Sequence, residues 1–195
     1  LYAIARLRAF TTAPKASSAL AVGPYAIMGG LGGLGLCAST MLVKGGASSV
    51  VLSSRSGRAG GFTTDVTRNG AMLWAACDVG DAADALALLA HAPPIGVLHA
   101  AGVLHDKMLH GTSMGHAHAV FAPKALAASH MQPMVVRTPV VAFGLFSSVA
   151  STFGNVGQAN YAAANAYLDA LARSRRCHGA LGSSLQIPAV SGSGM

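Results

Sequence analysis

A chain of 195 residues with 52% hydrophobic and 10% charged residues can bury one sizeable core, which excludes a disordered or heavily solvated polypeptide. Its 13 basic residues outnumber 6 acidic ones for a formal charge of +7, but they are scattered with no aromatic-interleaved stripe, which argues against nucleic acid and for anionic cofactor phosphates or an acidic partner. Cys37, Cys77 and Cys177 lie far apart and the 8 histidines form no zinc signature, so the residues imply reduced thiols of an intracellular, cytoplasmic protein, with a plastid location left open and neither disulfide nor metal expected.

Residues 1–23 mix small polar residues with Pro14 and lack a sustained period, so they read as a linker leading into one domain over residues 24–195. Residues 25–57 hold a compact apolar strand, a glycine-rich turn, a helix and a second strand, which is one βαβ unit. Gly30, Gly32 and Gly35 satisfy G-x-G-x-x-G, and Gly29, Gly33 and Gly35 satisfy G-x-x-x-G-x-G. Glycines between a strand and a helix start let backbone amides approach a pyrophosphate, where the helix dipole favours the anion. The second strand ends in Ser54, Arg55 and Ser56 rather than in an acid. A cation flanked by hydroxyls suits a ribose 2′-phosphate, so NADPH is the expected cofactor.

Residues 58–71 are glycine- and threonine-rich, a poor helix where a crossover helix is expected. Residues 72–79 read as a third strand, 81–92 as a helix with Asp81 near its start, and 95–103 as a fourth strand running into small residues that allow close approach of a flat ligand. His99 reads as a packed strand-end histidine. Residues 118–131 read as a helix carrying Lys124, which on its own is an ordinary exposed lysine. Two uncharged stretches, 16–43 and 138–168, are long enough to span a bilayer, but glycines and Pro24 in the first and Ser, Asn, Gln and Gly in the second rule out a lipid-facing helix, and no secretory signal is read.

Residues 140–148 form a short apolar run that ends in Ser147 and Ser148, a strand leading into a turn with Gly154, Asn155 and Gly157. Residues 161–176 form a strong helix with Asp169 as its one acid. Tyr161 and Asn165 stand four apart on one helix face, opposite the strand's carboxyl end, where ligands bind in open α/β sheets. A serine and a tyrosine hydroxyl so placed can bond one substrate carbonyl together. A free phenol titrates near roughly 10, so proton delivery at neutral pH needs a cation beside it. The alternation of strands and helices gives a Rossmann-like, doubly wound parallel sheet with helices on both faces.

With GGLGGLG, SSRSG, CDV, HAAGV, APK, LFSS and GQANYAAANAYLDAL in this order, residues 25–179 resemble the ketoreductase domains of modular polyketide synthases and animal-type fatty acid synthases, within the short-chain dehydrogenase/reductase superfamily. Most of that superfamily carries Tyr-x-x-x-Lys. Here the lysine, Lys124, lies upstream and Asn165 follows Tyr161, an order typical of the megasynthase members. The resemblance implies Tyr161 as general acid, Ser148 as the hydroxyl that orients the ketone, and a structural Ser147. It makes Lys124 the group that bonds the nicotinamide ribose and lowers the Tyr161 pKa, with Asn165 holding the lysine or a relay water. The turn Gly29, Gly30, Leu31, Gly32, Gly33, Leu34, Gly35 would cradle the pyrophosphate, Ser54, Arg55 and Ser56 the 2′-phosphate, Asp78 and Val79 the adenine, and Ala100, Ala101 and Gly102 the nucleotide wall.

The implied reaction is NADPH-dependent reduction of a β-ketoacyl thioester, delivered on the phosphopantetheine arm of an acyl carrier protein, beside neighbouring megasynthase domains. Leu104, His105 and Asp106 keep the last residue of the Leu-Asp-Asp motif of D-alcohol producers, and Phe153 stands where L-alcohol producers carry tryptophan, which favours the D form. Departures from the family pattern are Met28 for the usual threonine, a short segment after Arg55, and LQIPAVSGSGM for the usual Asn-Trp-Gly-Pro-Trp run. The missing N-terminal half, lid and last strand imply a C-terminally truncated fragment. Two rival readings are a non-catalytic scaffold domain and a free-standing reductase.

Overall fold

The computed structural model describes residues 21–57, 72–91, 93–138 and 140–190. All but the end of the expected linker over 1–23, and the expected poor helix over 58–71, lie outside the described residues.

Six strands form one parallel sheet: β1 (Pro24–Met28), β2 (Ser49–Ser54), β3 (Met72–Ala76), β4 (Gly96–His99), β5 (Ala142–Ser148) and β6 (Ser183–Ile187), in the spatial order β3-β2-β1-β4-β5-β6. Strands covered on both faces read as continuous apolar runs, and PYAIM and SVVLSS do so. Along β1 the pleat sends Tyr25 and Ile27 to one face and Ala26 and Met28 to the other. The first face is covered by α1 (Gly33–Lys44) through Leu36 and Leu42. The second is covered by α2 (Ala82–His91), α4 (Ala127–Arg137) and α6 (Ala159–Cys177), through Leu89, Met131 and Leu168. Helices on both faces of a parallel sheet are the doubly wound arrangement.

Several boundaries differ from the expectation. The third strand leaves the sheet after Ala76, where the Asp78 carboxylate accepts from the Gly80 N–H and starts a turn. The fourth stops pairing at His99; Ala100 still donates to the Met28 carbonyl, and the chain then departs over the cleft. The helix expected over 118–131 begins earlier, as α3 (Met114–Phe121), because Ser113 and His116 form a reciprocal cap at its start. It passes through a π turn (Ala122–Leu126) and ends later, since α4 tolerates Pro133 in its interior. One helical turn, α5 (Ala150–Phe153), and the strand β6 were not expected.

Candidate active site

Every strand of the sheet ends on the same side, and the loops that follow enclose one cleft of about 710 Å³. From the β1–α1 turn it is lined by Gly29, Gly32, Gly33, Leu34 and Gly35; Ser54 ends β2 and Arg55 follows it, and Asp78 and Val79 follow β3. Ala100, Ala101 and Gly102 after β4, Lys124 from the π turn, Ser148 and Tyr161 complete the set that the sequence singled out. Gly30, Leu31, Ser56 and Asn165 do not line it. Gly30 is buried under the turn, its N–H given to the Ile27 and Ser53 carbonyls, Leu31 packs in the core beneath α1, Ser56 is exposed, and Asn165 lies one helical turn below Tyr161, fully buried.

The chemistry-bearing side chains converge at the ends of β4, β5 and α6. Lys124 is not on an exposed helix face: it is 4% exposed, and its ammonium donates to the Phe146 carbonyl at 2.9 Å. Lys124 lies within the π turn, a form found frequently at functional sites. The ammonium sits 5.4 Å from the centroid of the Tyr161 ring. An ammonium has three N–H bonds, so donors remain for a ligand in the cleft. Burial pushes Lys124 down to about 8, against the opposing charge of Asp169. Beneath it, His99 is fully buried with Nε2 3.0 Å from the Lys124 carbonyl. Burial first and the lysine charge second lower His99 to about 3, so its imidazole is neutral, a packed strand-end histidine as read from the sequence.

Ser147 and Ser148 divide their roles. The Ser147 hydroxyl is buried and donates to the Asn165 carbonyl at 3.2 Å, whereas Ser148, half-buried on the cleft wall, accepts from the Ala150 N–H at 3.2 Å and retains its own proton to donate. The Asn165 carboxamide donates to the Tyr161 carbonyl at 2.8 Å, and its Oδ1 has no partner. Its side chain therefore braces the tyrosine's helical turn instead of bonding the lysine.

The loop after β4 is stapled to the start of α6 by three bonds that sequence reasoning missed: Gln158 Nε2 to Asp106 Oδ2 at 3.0 Å, Asn160 Nδ2 to the His105 carbonyl at 3.1 Å, and Lys107 N–H to the Gly157 carbonyl at 2.7 Å. Phe153, at the tryptophan position, is 83% exposed. Missed too were Ile187 and Pro188, which line the cleft at the end of β6. Cys77 also lines it, but burial and the carboxylates of Asp84, Asp78 and Asp81 push the thiol up to about 11, so it is not a nucleophile at neutral pH.

The other end of the cleft suits a dinucleotide phosphate. α1 is preceded by Gly32 as its N-cap, with no capping side chain and no acid in its first turn, so its first amides keep their capacity for an anion. A Cβ on Gly32 would meet nothing closer than the Gly29 carbonyl at 3.6 Å and would project into space that a ligand could use. At the end of β2, Ser54 and Arg55 line the wall, and the sequence there carries no acid.

Comparisons with known proteins bear on the family and the fold. The KR domain family matches residues 23–192. The chain is 42% identical over 173 residues to the polyketide synthase GfsA of Streptomyces halstedii, covering 84% of this chain and 2% of that protein. It is 43% identical over 173 residues to the spectinabilin polyketide synthase system protein NorA′ of Streptomyces orinoci, covering 84% and 5%. The chain thus spans a small fraction of these relatives. Among solved structures, A-type ketoreductases from a modular polyketide synthase superpose with a TM-score of 0.88 at 36% identity, over 96% of this chain and 42% of that one. A ketoreductase from the first module of phoslactomycin biosynthesis in Streptomyces sp. HK803 gives 0.84 at 34%, over 95% and 46%. Among the described residues no helix is long and apolar enough to cross a membrane.

Proposed function

The chain belongs to the KR domain family, the ketoreductases of modular polyketide synthases within the short-chain dehydrogenase/reductase superfamily, and from that membership and the geometry of its cleft we propose that it reduces a β-ketoacyl thioester, presented on the phosphopantetheine arm of an acyl carrier protein, to the β-hydroxyacyl thioester with NADPH. The observation that carries this reading is the convergence of Lys124, Ser148 and Tyr161 on one cleft whose far end suits a phosphate.

When bound, NADPH supplies the hydride. The amides at the start of α1 hold the pyrophosphate, and Ser54 and Arg55 meet the 2′-phosphate. Lys124, fixed by the Phe146 carbonyl, donates its remaining N–H bonds to the nicotinamide ribose. Ser148 orients the substrate ketone by donating to its oxygen. Tyr161 gives its proton to that oxygen as negative charge develops, and the Lys124 ammonium stabilises the charge left on the phenol. The unpartnered Asn165 Oδ1 is an acceptor suited to a buried water that returns a proton from solvent. Asp106 accepts from Gln158 Nε2 at 3.0 Å, and its match to the last residue of the Leu-Asp-Asp motif is the basis on which a D-configured product is read.

The test is NADPH oxidation with a small β-ketoacyl thioester, run on the wild type and on Tyr161→Phe, with the product resolved on a chiral column. Loss of the acid is expected to lower kcat by about 10²–10⁴-fold while NADPH binding persists. Clear NADPH binding without turnover in the wild type would favour the scaffold reading instead, and a folded protein that binds no NADPH overturns the cofactor assignment.

A further inference from the structure

On the face of α6 that carries Tyr161 and Asn165, the next residue four positions on is Asp169. Its carboxylate gathers donors from two other elements: Ser151 Oγ of α5 at 2.6 Å, and from β6 the Ser184 hydroxyl and Gln186 Nε2, the latter at 2.8 Å. Ser151 also stands 2.8 Å from the Ser148 carbonyl and accepts from Gln186 Nε2 at 2.9 Å. A second layer joins the same pieces, Thr152 Oγ1 to Gln186 Oε1 at 3.0 Å and the Val149 N–H to the Ile187 carbonyl at 3.2 Å. Asp169 is therefore where the tyrosine helix, the turn after Ser148 and the outer strand meet.

We propose that Asp169 is the positioning residue of this active site: its carboxylate fixes the Ser148 turn against the helix that carries Tyr161. This rests on the reading given above for Lys124, Ser148 and Tyr161. An ionised carboxylate accepts at both oxygens, Oδ2 from Ser151 and Gln186 and Oδ1 from Ser184, whereas a carboxamide would turn an N–H pair toward one side and make that partner reverse its role. Burial pushes Asp169 up, but the bonds from Ser151, Ser184 and Gln186 outweigh it and hold the group below the usual carboxylate range. The groups around Lys124 are the neutral His99 below it on β4, the Tyr161 ring on α6, and Asp169 further along α6. Among the described residues Asp169 is the one acid whose charge opposes the effect of burial on the lysine.

The test compares wild type, Asp169→Asn, Asp169→Glu and Ser151→Ala by three readouts: melting temperature, the pH profile of kcat/KM, and direct titration of Lys124 by NMR of ¹³C-labelled lysine. Asp169→Asn is expected to lower kcat at least tenfold, and to move the Lys124 titration, and the alkaline limb of kcat/KM with it, downward. Asp169→Glu restores the titration. Ser151→Ala lowers kcat and leaves the titration in place, which also decides the positioning role if Asp169→Asn does not fold. A folded Asp169→Asn protein, or a Ser151→Ala protein, with wild-type kcat overturns the proposal. A wild type without turnover whose Lys124 still shifts on Asp169→Asn defeats the ketoreductase reading and leaves the charge coupling standing.

Discussion

Gly102 illustrates how closely the cofactor wall and the lysine are fitted. A Cβ placed on it would lie 2.7 Å from Lys124 Cε and 3.3 Å from Nζ, so the lysine's stem occupies the volume that any side chain there would need. Overfilling a packed site costs about 1–3 kcal/mol. Since the neighbouring atoms belong to the lysine that the proposed mechanism uses, Gly102→Ala is expected to weaken NADPH binding roughly tenfold or more at that cost; a fluorescence titration that gives wild-type affinity would contradict it. The glycines of the first turn, the two serines and Tyr161 were legible in the sequence because each stands at a strand end or a helix start. The burial of Lys124 was not. Its fate depends on the Phe146 carbonyl, 22 positions away in sequence, and no local pattern announces that partner.

The π turn explains why that partner is reached. Ala122–Leu126 holds one more residue than an α turn would, and α4 beyond it is fixed by Ala127, Ala128, Met131 and Val135 in the core. Deleting Ala125 while the core holds α4 in place moves Lys124 into the vacated position, a rotation of about 100° about the axis. The expected result is a folded protein with a modestly lower melting temperature and turnover reduced at least about 100-fold, the order of a lost transition-state donor; wild-type turnover in that deletion would show that the extra residue has no part in placing the lysine. Alanine-rich sequence conceals such an insertion, because APKALAAS has too little contrast between faces to show a phase shift. β6 was hidden for a related reason. SSLQI is mostly exposed at the sheet's edge, so it has neither the apolar run of a central strand nor a clean alternation, and Asp169 and its donors anchor it instead.

Across the molecule, the buried groups under the site separate the pH of greatest stability from the pH of greatest activity. His99 titrates at about 3 in the folded protein, below its ordinary value. Between about 6.5 and 3 the unfolded chain therefore holds a proton that the folded one refuses, and stability falls as pH drops, by up to about 1.4 kcal/mol per pH unit. Asp169, also lowered, adds to the loss once pH falls below the ordinary carboxylate range. On the alkaline side Lys124 works in the opposite sense to activity. Its folded pKa of about 8 lies below that of a free lysine, near roughly 10.4, so between those values the unfolded chain again holds the extra proton and stability rises with pH. The ammonium used in the proposed mechanism disappears over that same interval. Denaturant unfolding at pH 5, 7 and 9 should give increasing stability while kcat/KM declines above pH 8, and His99→Gln should flatten the acid limb and leave the alkaline one. Equal stability at pH 5 and 7 in the wild type would mean that His99 is not held neutral by its burial, and parallel curves for stability and activity above pH 8 would mean that the lysine charge is not what the reaction uses.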